Sequence, residues 1–385
     1  MIKYYESEGI KYIGVNDRDI DLFEGQYVVP EGMAYNSYVI LDEKIAIMDT
    51  VDGSKTEEWL ANLEEKLAGK TPEILVCLHT EPDHSGSIGA LLDKYPELKV
   101  VGNVKTFNIL GQFLNKDLDD RKILVKEGDV LDLGEHKIHF VMAPMVHWPE
   151  VMFGYEETEK ILFAADAFGK FGALDADEDW DCEARRYYFN IVGKYGVQVQ
   201  AVLKKAATLD IKTICSLHGP TLTGDLSHYL KQYDTWSKYE AEDEGVMIAY
   251  ASIHGNTAKA AKLLAEKLEA KGVKVAMADL ARDDMAEAVE DAFRYDRLVL
   301  AASSYDGGVF PPMEFFLVKL KAKNFQNRKV AIMENGSWAP SAAKTIKGYL
   351  EQLKKLELVE PTITIKSAMN EANIAQMDEL VNALV

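Results

Sequence analysis

From Val246 to its end the chain alternates apolar strand-like runs with helical stretches, a regularity that few architectures accommodate. VMIAYAS reads as a strand, followed by a helix from Asn256 to Lys271 that Gly272 closes. VKVAMADL, RLVLAAS and KVAIMEN repeat the strand pattern, with helices expected across 285–293, 313–321 and 341–355 and a last strand near 362–366. Strands separated by helices cannot pair as hairpins. They form a parallel sheet with helices on its faces, so this part is expected to be a doubly wound parallel sheet of five strands.

The preceding residues read differently. Short strands (IAIMDT at 45–50, EILVCLHT at 73–80, and several across 122–144 with a turn near Gly134) are interrupted by a helix from Ser54 to Ala68. Trp59, Leu60, Leu63 and Leu67 line one face of that helix, and Gly69 is placed to cap it. This pattern predicts a layered αββα sandwich, again of the α/β class. The charge-rich SKYEAEDEG at 237–245 is expected to be the linker, which gives two domains, 1–245 and 246–385.

Charge separates the halves further. Residues 246–385 hold 18 basic and 18 acidic side chains, so the whole net charge of −20 lies in residues 1–245. Such a surface argues against nucleic acid or an anionic membrane as a partner, since both need basic patches. No apolar run of membrane-spanning length is present, the first residues give no signal-peptide pattern, and Cys77, Cys182 and Cys215 are too far apart for a metal knuckle. A cytoplasmic location is expected.

The densest chemistry is the run His79-Thr80-Glu81-Pro82-Asp83-His84, four potential metal ligands in six residues at the end of an apolar strand. Three more follow strands of their own: His147 in MAPMVHWPE, Asp166 in ILFAADAFG and His218 in TICSLHGP. Strand ends of one sandwich can converge on one edge. Carboxylate oxygens suit an ion that cycles to the ferric state, imidazole suits Fe, Zn and Cu alike, and a closed zinc site would use thiolates, which are absent here. His136, His139 and His228 carry no carboxylate motif and read as packing or surface residues. Trp148 either walls the pocket or fills the core.

The second half opens with Tyr250-Ala251-Ser252-Ile253-His254-Gly255-Asn256-Thr257, a strand running into a helix. The hydroxyls of Ser252 and Thr257, with backbone N–H groups at a helix start, suit a phosphate, and Gly255 is expected to let the chain approach it. Two further loops, Ser303-Ser304-Tyr305-Asp306-Gly307 and Asn335-Gly336-Ser337-Trp338, follow later strands at the edge where doubly wound sheets bind ligands. Tyr305 and Trp338 can flank a flat ring.

On these residues the first half resembles the metallo-β-lactamase superfamily, and within it the flavodiiron proteins. Glu81 stands where the superfamily usually carries His. The second half resembles flavodoxin throughout, apart from His254 where Thr is usual. The resemblance implies FMN and a non-haem diiron centre. One iron would take His79, Glu81 and His147, the other Asp83, His84 and His218, with Asp166 bridging. It further implies reduction of NO to N2O or O2 to water, rubredoxin or a similar carrier as electron donor, and a head-to-tail homodimer, which can pair into a dimer of dimers. No CxxC pair or dinucleotide fingerprint marks a fused rubredoxin or direct NAD(P)H binding. The rivals are a binuclear zinc hydrolase with an appended flavodoxin domain and a plain electron-transfer module. Substrate preference is expected to depend on small groups around the metals, in 23–35 and near Tyr187 and Tyr188.

Overall fold

The structure, a computed structural model, describes residues 3–114 and 116–385 and divides into two compact units. One comprises the chain as far as Tyr188 together with Val197–Asp234. The other comprises Phe189–Gly196 and Thr235–Val385.

The first unit is built on two six-stranded sheets. In one, the order is Ile10–Tyr12, Tyr38–Ile40, Ala46–Met48, Ile74–Val76, Lys99–Gly102, Lys122–Leu124. In the other it is Val130–Asp132, Lys137–Met142, Met152–Glu156, Ile161–Phe163, Thr213–Cys215, Leu222–Thr223. The sheets face one another: Tyr38 of the first meets Phe163 of the second edge-on, ring centroids 5.5 Å apart. Ile74–Val76 runs parallel to both its neighbours, and Ile161–Phe163 runs parallel to Thr213–Cys215. Chain segments leaving parallel strands emerge on the same edge; six of the seven metal-type residues lie on such segments, and His147 follows Lys137–Met142, which is antiparallel to its neighbours.

The helix Thr56–Leu67 buries Trp59, Leu63 and Leu67, as the periodicity predicts, and the Trp59 indole N–H donates to Ser37 Oγ at 3.1 Å. Its cap differs from expectation. Ala68, at φ 50°, is the left-handed residue whose N–H returns to the Glu64 carbonyl, one position before Gly69.

In the second unit the sheet order is Val275–Asp279, Asp243–Ala251, Tyr295–Tyr305, Gln326–Asn335, Lys354–Ile365, all parallel. The order reverses between the second and third of these, and a cleft opens there. Helices Asn256–Glu269 and Glu371–Leu384 pack together on one side. Met285–Arg294, Pro311–Ala322 and Ala342–Leu350 group on the other. The C-terminal helix is absent from the sequence reading, yet its Met377, Leu380, Val381 and Leu384 complete the core against Ala261, Leu264 and Leu268. Asn370 and Asn373 cap it reciprocally. The helix expected to run to 355 ends at Leu350, and the last strand begins at Lys354.

Residues 237–245 are not a free linker. Ser237 ends the helix Ser227–Ser237, Tyr239 is buried, and Asp243 already begins a strand. The short segment from Phe189 also belongs to this unit. Phe189 stacks on Phe293 at 4.2 Å, and the Tyr239 hydroxyl donates to the Gly193 carbonyl at 2.9 Å. Among the described residues no helix is long and apolar enough to cross a membrane.

Candidate metal centre and flavin cleft

Four loops deliver the seven metal-type residues. The strand Ile74–Val76 leads to His79 and Glu81, and a single turn of helix, Pro82–Ser85, then carries Asp83 and His84. Proline begins that turn without losing a hydrogen bond, because the first N–H of a helix has no partner within it. The turn is tied down from outside: the His84 carbonyl accepts from the Thr50 N–H at 3.0 Å and from its hydroxyl at 2.7 Å. His147 lies between Lys137–Met142 and Met152–Glu156, Asp166 follows Ile161–Phe163, and His218 follows Thr213–Cys215. The Asp166 and His218 loops press together at Gly169, where a Cβ would lie 2.9 Å from Ser216 Oγ and 3.0 Å from the Asp166 carbonyl oxygen. Met145 (φ 65°) and Ala165 (φ 47°), close in sequence to His147 and Asp166, hold left-handed backbone without being glycine, a cost the surrounding packing sustains.

All seven side chains come together, in two groups. His147 Nε2 lies 3.0 Å from both Glu81 Oε2 and Asp166 Oδ2, and His79 Nε2 lies 3.2 and 3.4 Å from the same two oxygens. In the second group His84 Nε2 and His218 Nε2 face each other at 3.1 Å, each 3.2 Å from Asp83 Oδ2. Asp166 Oδ1 turns to this group, 3.1 Å from His84 Nε2. One carboxylate thus presents one oxygen to each cluster.

The chemistry of these donors fits a pair of cations. His218 Nδ1 donates to the Ala34 carbonyl at 2.8 Å, and His79 Nδ1 meets Glu150 Oε1 at 2.8 Å. A carbonyl can only accept, so the facing Nε2 of His218 is free to carry its lone pair inward. Asp166 Oδ1 is buried and accepts no hydrogen bond. Lone pairs and carboxylates aimed at one point repel each other unless a positive charge joins them.

Titration behaviour follows from that crowding. Burial is the largest influence and opposes charge on every group. For His84 it is overcome by Asp83 and Asp166, which push the imidazole up to about 10, and for His147 by Asp166 and Glu81, to about 9. His79 is raised well above the ordinary range by Asp166, Glu150 and Glu81 against the same burial. Asp166, buried yet beside His79 and His84, lies well below the carboxylate range. Asp49 behaves in the opposite way. Burial dominates and pushes it up to about 7, although its Oδ1 accepts from the Leu78 N–H at 2.7 Å.

Aromatic rings wall the cluster. Trp148 stands edge-on to His79 at 5.4 Å, Phe23 edge-on to His218 at 5.4 Å, and the fully buried Tyr187 lies 5.4 Å from His218. His136 is buried between Asp42 (2.8 Å) and Glu159 (3.2 Å), away from the cluster, while His139 and His228 pair with Glu157 and Asp181, both at 2.7 Å. Glu150, Asp49 and the Ala34 carbonyl were missed by sequence reasoning. Glu150 stands inside the quoted run MAPMVHWPE, so its carboxylate three residues after His147 was the available signal.

The second unit's cleft has a volume of about 630 Å³. Ser252, His254, Asn256, Thr257, Ser303, Ser304, Tyr305, Asp306, Gly307, Asn335, Gly336, Ser337 and Trp338 line it, joined by Ile253, Ala339, Ser341 and Ser367. Gly255 is the exception among the expected residues. It does not line the cleft, and nothing lies within 4 Å of where its Cβ would be. Its φ of 88° as the residue before the helix Asn256–Glu269 itself calls for glycine there. Thr257 Oγ1 and Ser303 Oγ are 2.9 Å apart at the helix start. Ser304 Oγ accepts from the N–H groups of Ser341 and Ala342, so it serves the start of the helix Ala342–Leu350 as well as the cleft. Trp338 is 93% exposed and Tyr305 46% exposed, which leaves two ring faces open on this cleft.

Comparisons with known proteins agree with both halves. The family model described as ODP family beta lactamase matches residues 33–219, and the flavodoxin model matches residues 248–376. A nitric oxide reductase of Moorella thermoacetica is 29% identical over 374 residues, 94% of this chain and 92% of that one. Among solved structures, rubredoxin oxygen:oxidoreductase from Desulfovibrio gigas superposes with a TM-score of 0.91 at 23% identity, covering 98% of this chain and 96% of that one. A histidine mutant of the flavo di-iron protein from Thermotoga maritima gives 0.88 at 25% identity, covering 97% and 95%. The chain spans about half the length of the diflavin flavoproteins of Synechocystis that it also matches. Fold and site together define a lactamase-like metal domain followed by a flavodoxin domain. Over nearly its whole length the chain is similar to the flavodiiron proteins of known structure.

Proposed function

We propose that this chain is an FMN- and diiron-dependent reductase that turns NO into N2O, O2 into water, or both, with electrons from a small carrier of the rubredoxin type. The observation that carries the reading is Asp166, whose two carboxylate oxygens face two separate sets of nitrogen and oxygen donors. Two irons and one FMN together supply the four electrons that O2 reduction needs, or the two that couple a pair of NO molecules.

The residues proposed to hold the metals are His79, Glu81 and His147 on one side, Asp83, His84 and His218 on the other, and Asp166 between them. Their part is to present lone pairs in fixed directions. The rings of Trp148, Phe23 and Tyr187 keep bulk water from the pocket. In the cleft, Ser252 and Thr257 with the helix start are proposed to take the FMN phosphate, while the loops at Ser303–Gly307 and Asn335–Trp338 take its ring. Glu81 in place of the histidine usual in zinc lactamases weighs against the hydrolase alternative. The test is turnover with reduced rubredoxin: anaerobic consumption of NO with N2O formed, or, with O2 supplied instead, its consumption without peroxide, supports the reading. Ester or amide hydrolysis with no gas consumed would overturn it.

The assembly proposed is a head-to-tail homodimer in the cytoplasm, with Trp338 near the contact and electrons crossing from the FMN of one chain to the irons of the other. Support comes from the exposure of Trp338 and from the buried Cys77 and Cys215, which are in no disulfide. A chain carrying His79→Ala with Asp166→Ala, mixed with one carrying Ser252→Ala with Thr257→Ala, should recover up to half of the activity as purified heterodimers. Inactive heterodimers would remove transfer between subunits.

A further inference from the structure

Glu150 is not one of the seven residues that converge on the centre, yet its side chain is committed to one of them. It is 1% exposed. Oε1 lies 2.8 Å from His79 Nδ1, and it also accepts from the Thr80 N–H at 3.0 Å and the Thr80 hydroxyl at 2.6 Å. The other oxygen, Oε2, is buried without a partner. A carboxylate taken this far from water is costly unless its charge is used. The backbone here is held as well: Asn103, which caps the helix Val104–Phe113, donates from Nδ2 to the Glu150 carbonyl, and Lys105 Nζ reaches the Pro149 carbonyl at 3.3 Å.

The four histidines are not backed alike. His218 rests its Nδ1 on a neutral carbonyl, that of Ala34. His84 Nδ1 is buried without a partner. Of these three, His79 is the one backed by a carboxylate. A charged acceptor on Nδ1 fixes the tautomer, stops the ring from turning, and strengthens the lone pair on Nε2.

We propose that Glu150 is a positioning residue for the metal centre, which holds His79 as the Nδ1–H tautomer and makes the half built on His79, Glu81 and His147 the first to take a metal. This rests on the diiron reading, and it assigns the two halves of the site unequal affinity.

Cobalt(II) is the probe, added to the metal-free full-length chain. Its hyperfine-shifted, exchangeable ring N–H protons report each histidine separately, and the His79 signal is recognisable by its proximity to Trp148. In the unsubstituted protein the His79 signal should rise with the first equivalent and the His218 signal with the second. Glu150→Gln keeps the shape and loses the charge. It should weaken the His79 half about tenfold and blur or reverse the loading order, whereas Glu150→Ala should weaken it up to about a hundredfold. FMN content should not change in either. If Glu150→Ala does not fold, the isosteric Glu150→Gln decides alone. Loading order and affinity unaltered in Glu150→Gln would overturn the proposal, as would a wild-type chain that fills the His218 half first. A wild-type chain that takes up no cobalt would remove the centre itself, which separates that failure from this one.

Discussion

The two candidate sites solve opposite problems. The metal cluster gathers three carboxylates and four imidazoles from four loops into a buried pocket, where every neighbour's charge matters. The cleft in the second unit is lined by hydroxyls, amides and backbone from three loops along one sheet edge, with Trp338 and Tyr305 left exposed. The first site is assembled by electrostatics that either bound protons or metal cations must balance. The second is a preformed shape that waits for a flat, phosphate-bearing molecule. One should therefore fail in an all-or-none way and the other by degrees.

The sharpest break is expected at Asp166. Asp166→Ala removes the carboxylate that both clusters share, and metal content should fall below one equivalent with gas reduction abolished while FMN stays bound. A variant with two metals and full turnover would take the bridge out of the account.

Next in size is the response to pH. In the metal-free chain His84 and His147 are pushed up to about 10 and 9, by Asp83 with Asp166 and by Asp166 with Glu81 respectively, against burial. Cations bind the deprotonated rings, so metal uptake at pH 7 must expel protons. Apparent metal affinity should rise as pH goes from 7 towards 9, and FMN affinity should stay nearly flat. Calorimetry in buffers of different ionisation enthalpy measures the protons directly. Uptake with no proton release would contradict the crowded-carboxylate picture.

A smaller effect is expected in the cleft. Thr257→Val removes the hydroxyl that meets Ser303 Oγ, and FMN affinity should drop by about tenfold, the equivalent of a lost hydrogen bond of about 1.4 kcal/mol, with metal content unchanged. Flavin titration of the flavin-free protein checks it.

The smallest prediction lies outside both sites. Burial works to raise Asp42, but hydrogen bonds from the backbones of His136, Glu43 and Glu135 and from the His136 ring hold it at about 2. A carboxyl lowered on folding stabilises the fold above its unfolded value near 4, and that contribution, about 2 kcal/mol, is lost as pH falls from about 4 to about 2. Asp42→Asn should flatten acid unfolding in that window without touching either cofactor.

How legible these features were depends on the range of the forces behind them. The seven metal-type residues stand out because each follows an apolar strand and four crowd into six positions, so local pattern suffices. Glu150 and the Ala34 carbonyl act on His79 and His218 across 71 and 184 positions of chain; the place of Glu150 after His147 hints at a role, but its pairing with His79 is not encoded locally. The helix Glu371–Leu384 was missed although Asn370 starts it with a recognisable cap. Charge-rich residues at 237–245 read as a linker because their polarity is visible and the burial of Tyr239 is not. The left-handed φ of Gly255 adds a backbone demand for glycine that the sequence does not show, since φ is a property of the folded backbone.

The central claim is that one chain carries a two-iron centre and a flavin together. Metal and flavin analysis of the purified protein, with its absorption spectrum, addresses it most directly. The account predicts two irons and one FMN per chain, with ferric absorption beneath the flavin bands. Two zinc ions per chain with no ferric absorption, or one FMN with an empty first domain, would contradict it.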